Sequence, residues 1–176
     1  MDGRQHIKGT SLSKVRVLFV CLGNICRSPL AEGVFRSIVK EHGQELVFEI
    51  DSAGTSGWHI GNPPDKRMRT TASQHRVEIG HFKGRQFVAS DLTLFDYIFA
   101  MDKSNLDDML SLDGAGEYAH KVRLFREFDP EPGDFAVPDP YYGGEQGFEE
   151  VYQIVERTSR MLFHRLAEEH RLSTEG

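Results

Sequence analysis

Cysteine is scarce in this chain of 176 residues: it has two, Cys21 and Cys26, both in one short stretch near the start. That makes no disulfide framework, and the eight histidines are scattered without the spacing of a zinc site. A reducing cytoplasm and a reactive thiol fit this usage better. Basic charge is also short. Twenty-one Lys and Arg face 27 Asp and Glu, for a net charge of −6. This argues against a general binder of nucleic acid or anionic membrane and leaves room for one local basic pocket. No apolar run is long enough to span a bilayer. Residues 1–14 are polar and lack the apolar segment of a secretory signal. There is no repeat, no low-complexity tract and no sign of a second domain. What is present, 39% hydrophobic and 27% charged residues, is ordinary for one globular domain with a full core. We expect a flexible leader over residues 1–14, the domain over 15–170 and a short tail over 171–176.

The pattern within the domain alternates strands and helices. Val15 to Val20 is apolar and β-branched, as in a strand buried on both faces of a parallel sheet. Ser28-Pro29 then opens a helix, with proline expected at the first helical position, where its missing N–H costs nothing. Leu30, Ala31, Val34, Phe35, Ile38 and Val39 share one face, and Gly43 ends the helix. A second strand runs from about Val47 to Gly54. A Gly-rich loop, Thr55 to Asn62, carries the single tryptophan, Trp58. Pro63-Pro64 introduces a helix over about 65–75. Ala89 to Leu94 suits a helical turn, and Tyr97 to Met101 a third strand. A helix from Asp102 to Leu110 is expected with Asp102 or Ser104 at its cap, then a short fourth strand over 121–125. A Pro, Gly and Asp-rich loop leads to a final helix over 148–169, with Val151, Ile154, Val155, Thr158, Met161, Leu162 and Leu166 on its buried side. The sum is a single α/β domain: a four-stranded parallel sheet with helices on both faces, and a phosphate-binding loop after the first strand. Ligands in such sheets sit at the carboxyl ends of the strands, where Cys21 falls.

The chemistry centres on Cys21, Arg27 and Ser28. A loop entered from a strand and left through a helix N-terminus turns successive amides inward, here those of Leu22, Gly23, Asn24, Ile25, Cys26, Arg27 and Ser28, and they cradle a phosphate. Gly23 and Asn24 tolerate the positive φ such a loop needs. Arg27 offers a planar fork to two phosphate oxygens. The same amides and helix dipole favour a thiolate at Cys21, readying it as a nucleophile. Ser28 can hydrogen-bond the sulfur and help it leave. A thiolate nucleophile needs an acid on the opposite side to protonate the departing oxygen. Val137-Pro138-Asp139-Pro140-Tyr141-Tyr142-Gly143 holds a rigidly placed candidate in Asp139; by spacing alone it reads more readily as a plain turn.

Val20-Cys21-Leu22-Gly23-Asn24-Ile25-Cys26-Arg27-Ser28-Pro29-Leu30-Ala31-Glu32 resembles the N-terminal signature of the low-molecular-weight protein tyrosine phosphatases. The resemblance continues in family order through Asp51-Ser52-Ala53-Gly54-Thr55, Trp58, Gly61-Asn62-Pro63-Pro64-Asp65, Ala100-Met101-Asp102 and Pro138 to Gly143, and spans about residues 15–168. It implies a metal-independent and cofactor-free phosphatase of tyrosine-phosphorylated proteins and small aryl phosphates, inhibited by inorganic phosphate or other oxyanions. It implies Asp139 as the general acid, and then as the base for the water that cleaves the cysteinyl-phosphate. Trp58, Tyr141 and Tyr142 match aromatic walls of a deep slot suited to phosphotyrosine. His59, next to Trp58, is expected either to tune peptide preference or to be an idle surface residue. Asn24, Ser28 and Ser52 match residues that brace the loop. A histidine usually joins them three residues before Arg-Gln; here Phe82 holds that position, and His81, one residue earlier, is the candidate. Asp102 matches a family aspartate near the acid loop, or serves as a helix cap. Cys26 is either a small buried side chain or a resolving thiol that guards Cys21 from overoxidation, and the resemblance favours the guard. Neither nucleic acid nor membrane insertion is expected.

Three other readings share part of this pattern. Thioredoxin-linked arsenate reductases need a further cysteine pair downstream, and none follows Cys26. Protein arginine phosphatases carry threonine where Ile25 stands and lack the double tyrosine. A non-catalytic phosphate-binding protein has no need of Cys21, Arg27 and Asp139 together.

Overall fold

A computed structural model describes residues 13–175, so the expected leader lies, but for Ser13 and Lys14, outside the described residues. Four strands, β1 (Val15–Cys21), β2 (Phe48–Gly54), β3 (Tyr97–Ala100) and β4 (Val122–Leu124), form one parallel sheet in the order β2-β1-β3-β4. Among the described residues, five α-helices surround it: α1 (Arg27–Glu41), α2 (Lys66–Gln74), α3 (Ala89–Leu94), α4 (Lys103–Leu110) and α5 (Glu145–Glu169). The period of two along β1 separates the two cores. Val15, Val17, Phe19 and Cys21 face α1 and α5, while Leu18 and Val20 face the side of α3 and α4. Phe19 anchors the larger core, with Phe35, Phe99 and Phe125 packed at centroid distances of 5.6, 5.9 and 5.5 Å.

The connection from β1 crosses to β2 on one side, and β3 pairs on the other. The sheet therefore changes winding direction at the end of β1, where crevices form in such sheets. Cys21 sits in register with Gly54. A Cβ at Gly54 would lie 2.8 Å from the Leu22 carbonyl and 3.1 Å from the Asn24 amide. Only glycine lets β2 pass this close beneath the loop.

Several expectations shift in detail. Helix α1 begins at Arg27, so Pro29 is its third residue; an N–H there is still an unused one of the first turn. Helix α5 begins at Glu145, three residues ahead of the expected start at Phe148. Met161 is 47% exposed, because the buried stripe of α5 turns toward Tyr152, Ser159 and Phe163. In the expected tail, Leu172 packs against the core, and the Ser173 carbonyl accepts from Gln44. Asp65 and Asp102 cap α2 and α4, accepting from the Arg67 and Asn105 amides.

Candidate active site

The loop from Cys21 to Ser28 is held from outside by its carbonyls. Cys21, Leu22 and Ile25 accept from the amides of Thr55, Ser56 and Asp65 at 2.9, 2.9 and 2.8 Å. Among the described residues, no backbone amide from Leu22 to Ser28 donates to a protein acceptor. Carbonyls out and amides unused is the arrangement of an anion nest. The left-handed residue that turns the loop is Asn24, at φ +54°. Gly23 does not take positive φ; its part is steric, since a Cβ there would lie 3.2 Å from the His59 ring.

Asn24 is 3% exposed and organises the floor. Its amide nitrogen donates to Ser28 Oγ at 2.8 Å and Ser52 Oγ at 3.0 Å, and its oxygen accepts from the Arg85 amide at 3.0 Å. Ser28 Oγ lies 3.0 Å from Cys21 Sγ. Ser52 Oγ in turn donates to the buried Glu32 carboxylate at 2.8 Å, which also accepts from Arg36 Nε at 2.9 Å. Burial pushes the Glu32 carboxyl above its ordinary range, against the pull of Ser52 and Arg36. Glu32 and Arg36 thus close the brace. His81 does not: it is exposed and stacks edge-on against Phe82, outside this network. A one-residue shift cannot bring it in, because Phe82 packs against the core and fixes the register of that link.

Arg27, 3% exposed, donates to Asp102 Oδ2 at 2.7 Å and to the Val137 carbonyl at 3.1 Å. Asp102 therefore does both jobs, capping α4 with one oxygen and orienting Arg27 with the other. Arg27 Nη2 stands 3.5 Å from Asp139 Oδ2. The Asp139 side chain is turned back onto its own segment, where Oδ1 accepts from the Tyr141 amide at 3.1 Å. Cys26, a buried residue of the loop, also lines the cavity; burial first, then the charges of Asp65, Cys21 and Asp139, push its thiol well above the usual range. Cys26 is accordingly held as a neutral thiol, and Cys21 and Cys26 are both free.

These groups line one cavity of about 240 Å³, with Cys21 and Arg27 below and Trp58, His59, Asp139, Tyr141 and Tyr142 around it. Trp58 and Tyr142 are 75% and 92% exposed, so they form the rim; Tyr141, less exposed at 39%, forms the wall. The Trp58–His59 turn is drawn against the link before Arg85, where the Gly61 and Gly84 amides bond to Gly84 and Asn62 carbonyls at 2.8 Å each. A Cβ on Gly84 would come within 2.4 Å of the His59 carbonyl. Reasoning from sequence missed Glu32, Arg36, Arg85 and Arg67. Glu32, Arg85 and Arg67 meet their partners across long sequence separations, whereas Arg36 meets Glu32 one turn along α1; only the position of Glu32 at the end of the opening motif hinted at one of them.

The model of the low molecular weight phosphotyrosine protein phosphatase family matches residues 16–172. A low molecular weight phosphotyrosine protein phosphatase of Schizosaccharomyces pombe is 46% identical over 150 residues, covering 84% of this chain and 95% of that protein. A crystal structure of a protein tyrosine phosphatase from Entamoeba histolytica superimposes with a TM-score of 0.84 at 40% identity, over 90% of this chain and all of that one. A Drosophila arginine phosphatase shares the fold with a TM-score of 0.79 at 31% identity, over 85% of this chain and 96% of its own. On this extent of match, the chain belongs to the low molecular weight phosphotyrosine protein phosphatase family.

Proposed function

We propose that this protein hydrolyses phosphotyrosine in protein substrates, and small aryl phosphates, through a cysteinyl-phosphate formed on Cys21. The carrying observation is that one cavity joins Cys21, an Arg27 already oriented by Asp102, and Asp139 on the far side. The Cys21 thiolate attacks phosphorus in line as the bond to the phenol oxygen breaks; that oxygen takes its proton from Asp139. Arg27 and the free amides from Leu22 to Ser28 hold the equatorial oxygens as charge develops. Asp139 then takes a proton from water, which attacks phosphorus; the sulfur leaves with a hydrogen bond from Ser28, and inorganic phosphate departs. Phosphate and related oxyanions compete for the same cradle. Cys26, neutral and buried, does not attack phosphorus; its proposed part is to condense with the sulfenic acid that peroxide forms on Cys21, making a disulfide and releasing water. The free thiols suit a reducing cytoplasm. Among the described residues no helix is long and apolar enough to cross a membrane.

A fold shared with an arginine phosphatase does not separate the two substrate classes. Ile25 on the cavity floor and the Tyr141 wall favour an aryl group. The protein should turn over p-nitrophenyl phosphate in EDTA. Cys21→Ser should abolish turnover, and Asp139→Ala should slow it about 100-fold or more while leaving inhibition by phosphate intact. Full activity in Cys21→Ser would overturn the mechanism.

A further inference from the structure

The segment that carries the acid has few ties of its own. Pro138 and Pro140 flank Asp139 and supply no backbone N–H. The bonds Gly143 N to Pro140 O and Tyr141 N to Asp139 Oδ1 are internal to it. Among the described residues, one hydrogen bond joins residues 138–143 to the rest of the protein, Arg67 Nη2 donating to the Tyr141 carbonyl at 3.0 Å, beside the longer Arg27–Asp139 ion pair at 3.5 Å. The guanidinium also lies 5.6 Å from the Tyr141 ring centroid and 4.7 Å from that of Phe148, the core residue in the first turn of α5.

Arg67 is itself fixed from the opposite side. It donates from Nε and Nη2 to the two carboxylate oxygens of Asp65 at 3.1 and 3.0 Å, a bidentate pair. The Asp65 amide donates to the Ile25 carbonyl at 2.8 Å, inside the phosphate loop. A continuous line therefore runs from Ile25 through Asp65 and Arg67 to Tyr141, and from the Tyr141 amide to the Asp139 carboxylate. We propose that Arg67 is the positioning residue that sets Asp139 at its working place over the phosphate loop. Arg67 lies outside the cavity lining and touches no reacting atom in this scheme; it acts through Tyr141 and Asp139.

This inference rests on Asp139 as the general acid, and the test separates the two. Phenyl phosphate needs a proton on its leaving oxygen, whereas 2,4-dinitrophenyl phosphate expels 2,4-dinitrophenolate, a stable anion that needs none. In Asp139→Ala, kcat/KM should fall strongly for the first and little for the second. Arg67→Ala should show the same selectivity in milder form, on the order of tenfold on phenyl phosphate and under about twofold on the dinitrophenyl ester. Inhibition by inorganic phosphate should be unchanged. Arg67→Lys keeps a donor for Tyr141 but loses the bidentate fork, and should fall between. Arg67→Ala added to Asp139→Ala should cost nothing further on phenyl phosphate. Equal loss on both esters in Arg67→Ala and Arg67→Lys, no loss on either, or full additivity with Asp139→Ala would overturn the positioning role. An Asp139→Ala variant without leaving-group selectivity would instead remove the acid assignment on which it stands.

Discussion

Asn24 offers a quantitative test of how the loop is held. It makes two buried hydrogen bonds, to Ser28 and Ser52, and a part-buried one with the Arg85 amide, and does so at φ +54°. A net of about 1 kcal/mol per bond puts the loss in Asn24→Ala near 3 kcal/mol. Alanine in the left-handed region adds about 1 kcal/mol, for a total of about 4 kcal/mol. Asn24→Gly loses the same three bonds without that steric cost, so it should be more stable than Asn24→Ala by about 1 kcal/mol. In a chain of this size each kcal/mol moves the melting temperature by about 2–4 °C. Thermal and urea unfolding should therefore place Asn24→Ala on the order of 10 °C below wild type and Asn24→Gly a few degrees above Asn24→Ala. Both variants should also lose activity, because Ser28, which faces the Cys21 sulfur, loses its donor. An Asn24→Ala protein melting within a degree of wild type, or an alanine variant as stable as the glycine one, would refute this account of the floor.

Asp129 tests the approach to the acid segment. Burial would raise its carboxyl, but the bonds from Arg157, the Glu131 amide and Arg126 outweigh burial and hold it below the ordinary range. A depressed native value gives stability that is present above the unfolded carboxyl's pKa and lost as pH falls through the native one. Asp129→Asn should therefore cost about 3 kcal/mol at pH 7, and the gap from wild type should close below about pH 4 in urea titrations; a gap independent of pH would contradict the pairing. For the proposed redox guard, mild peroxide should give a Cys21–Cys26 disulfide by mass spectrometry, with activity restored by thiol. Irreversible loss with no linkage would leave Cys26 as packing alone.

The phosphate loop was legible because its chemistry is local. A thiol, an arginine six positions on and a serine next to it all lie between one strand and one helix, so spacing alone places them around one point. The proposed acid was not legible that way. Asp139 reaches Arg27 only because β3 sets Met101 beside both β1 and the strand-like segment at Val137, where their backbones bond; a resemblance to known sequences supplied what spacing left open. Sequence position points to His81 for the brace, whereas the fold places the buried Glu32 one helical turn beyond the loop, where Ser52 reaches it. Arg67 was invisible for the same reason. An exposed arginine after a helix cap looks like surface charge until the segment carrying Tyr141 is seen lying on it. Met161 shows the limit of helical periodicity: a stripe predicts a buried face, and the packing of α5 against α1 decides how far that face turns.

The central claim is that this cavity selects an aryl phosphate monoester. The direct measurement is initial rates on phosphotyrosyl, phosphoarginyl and phosphoseryl peptides of one sequence, side by side in EDTA. The arrangement of Cys21, Arg27 and Asp139 under the Tyr141 wall predicts turnover of phosphotyrosine at least about tenfold above either alternative, a difference of about 1.4 kcal/mol in transition-state stabilisation. Phosphoarginine as the preferred substrate would contradict it.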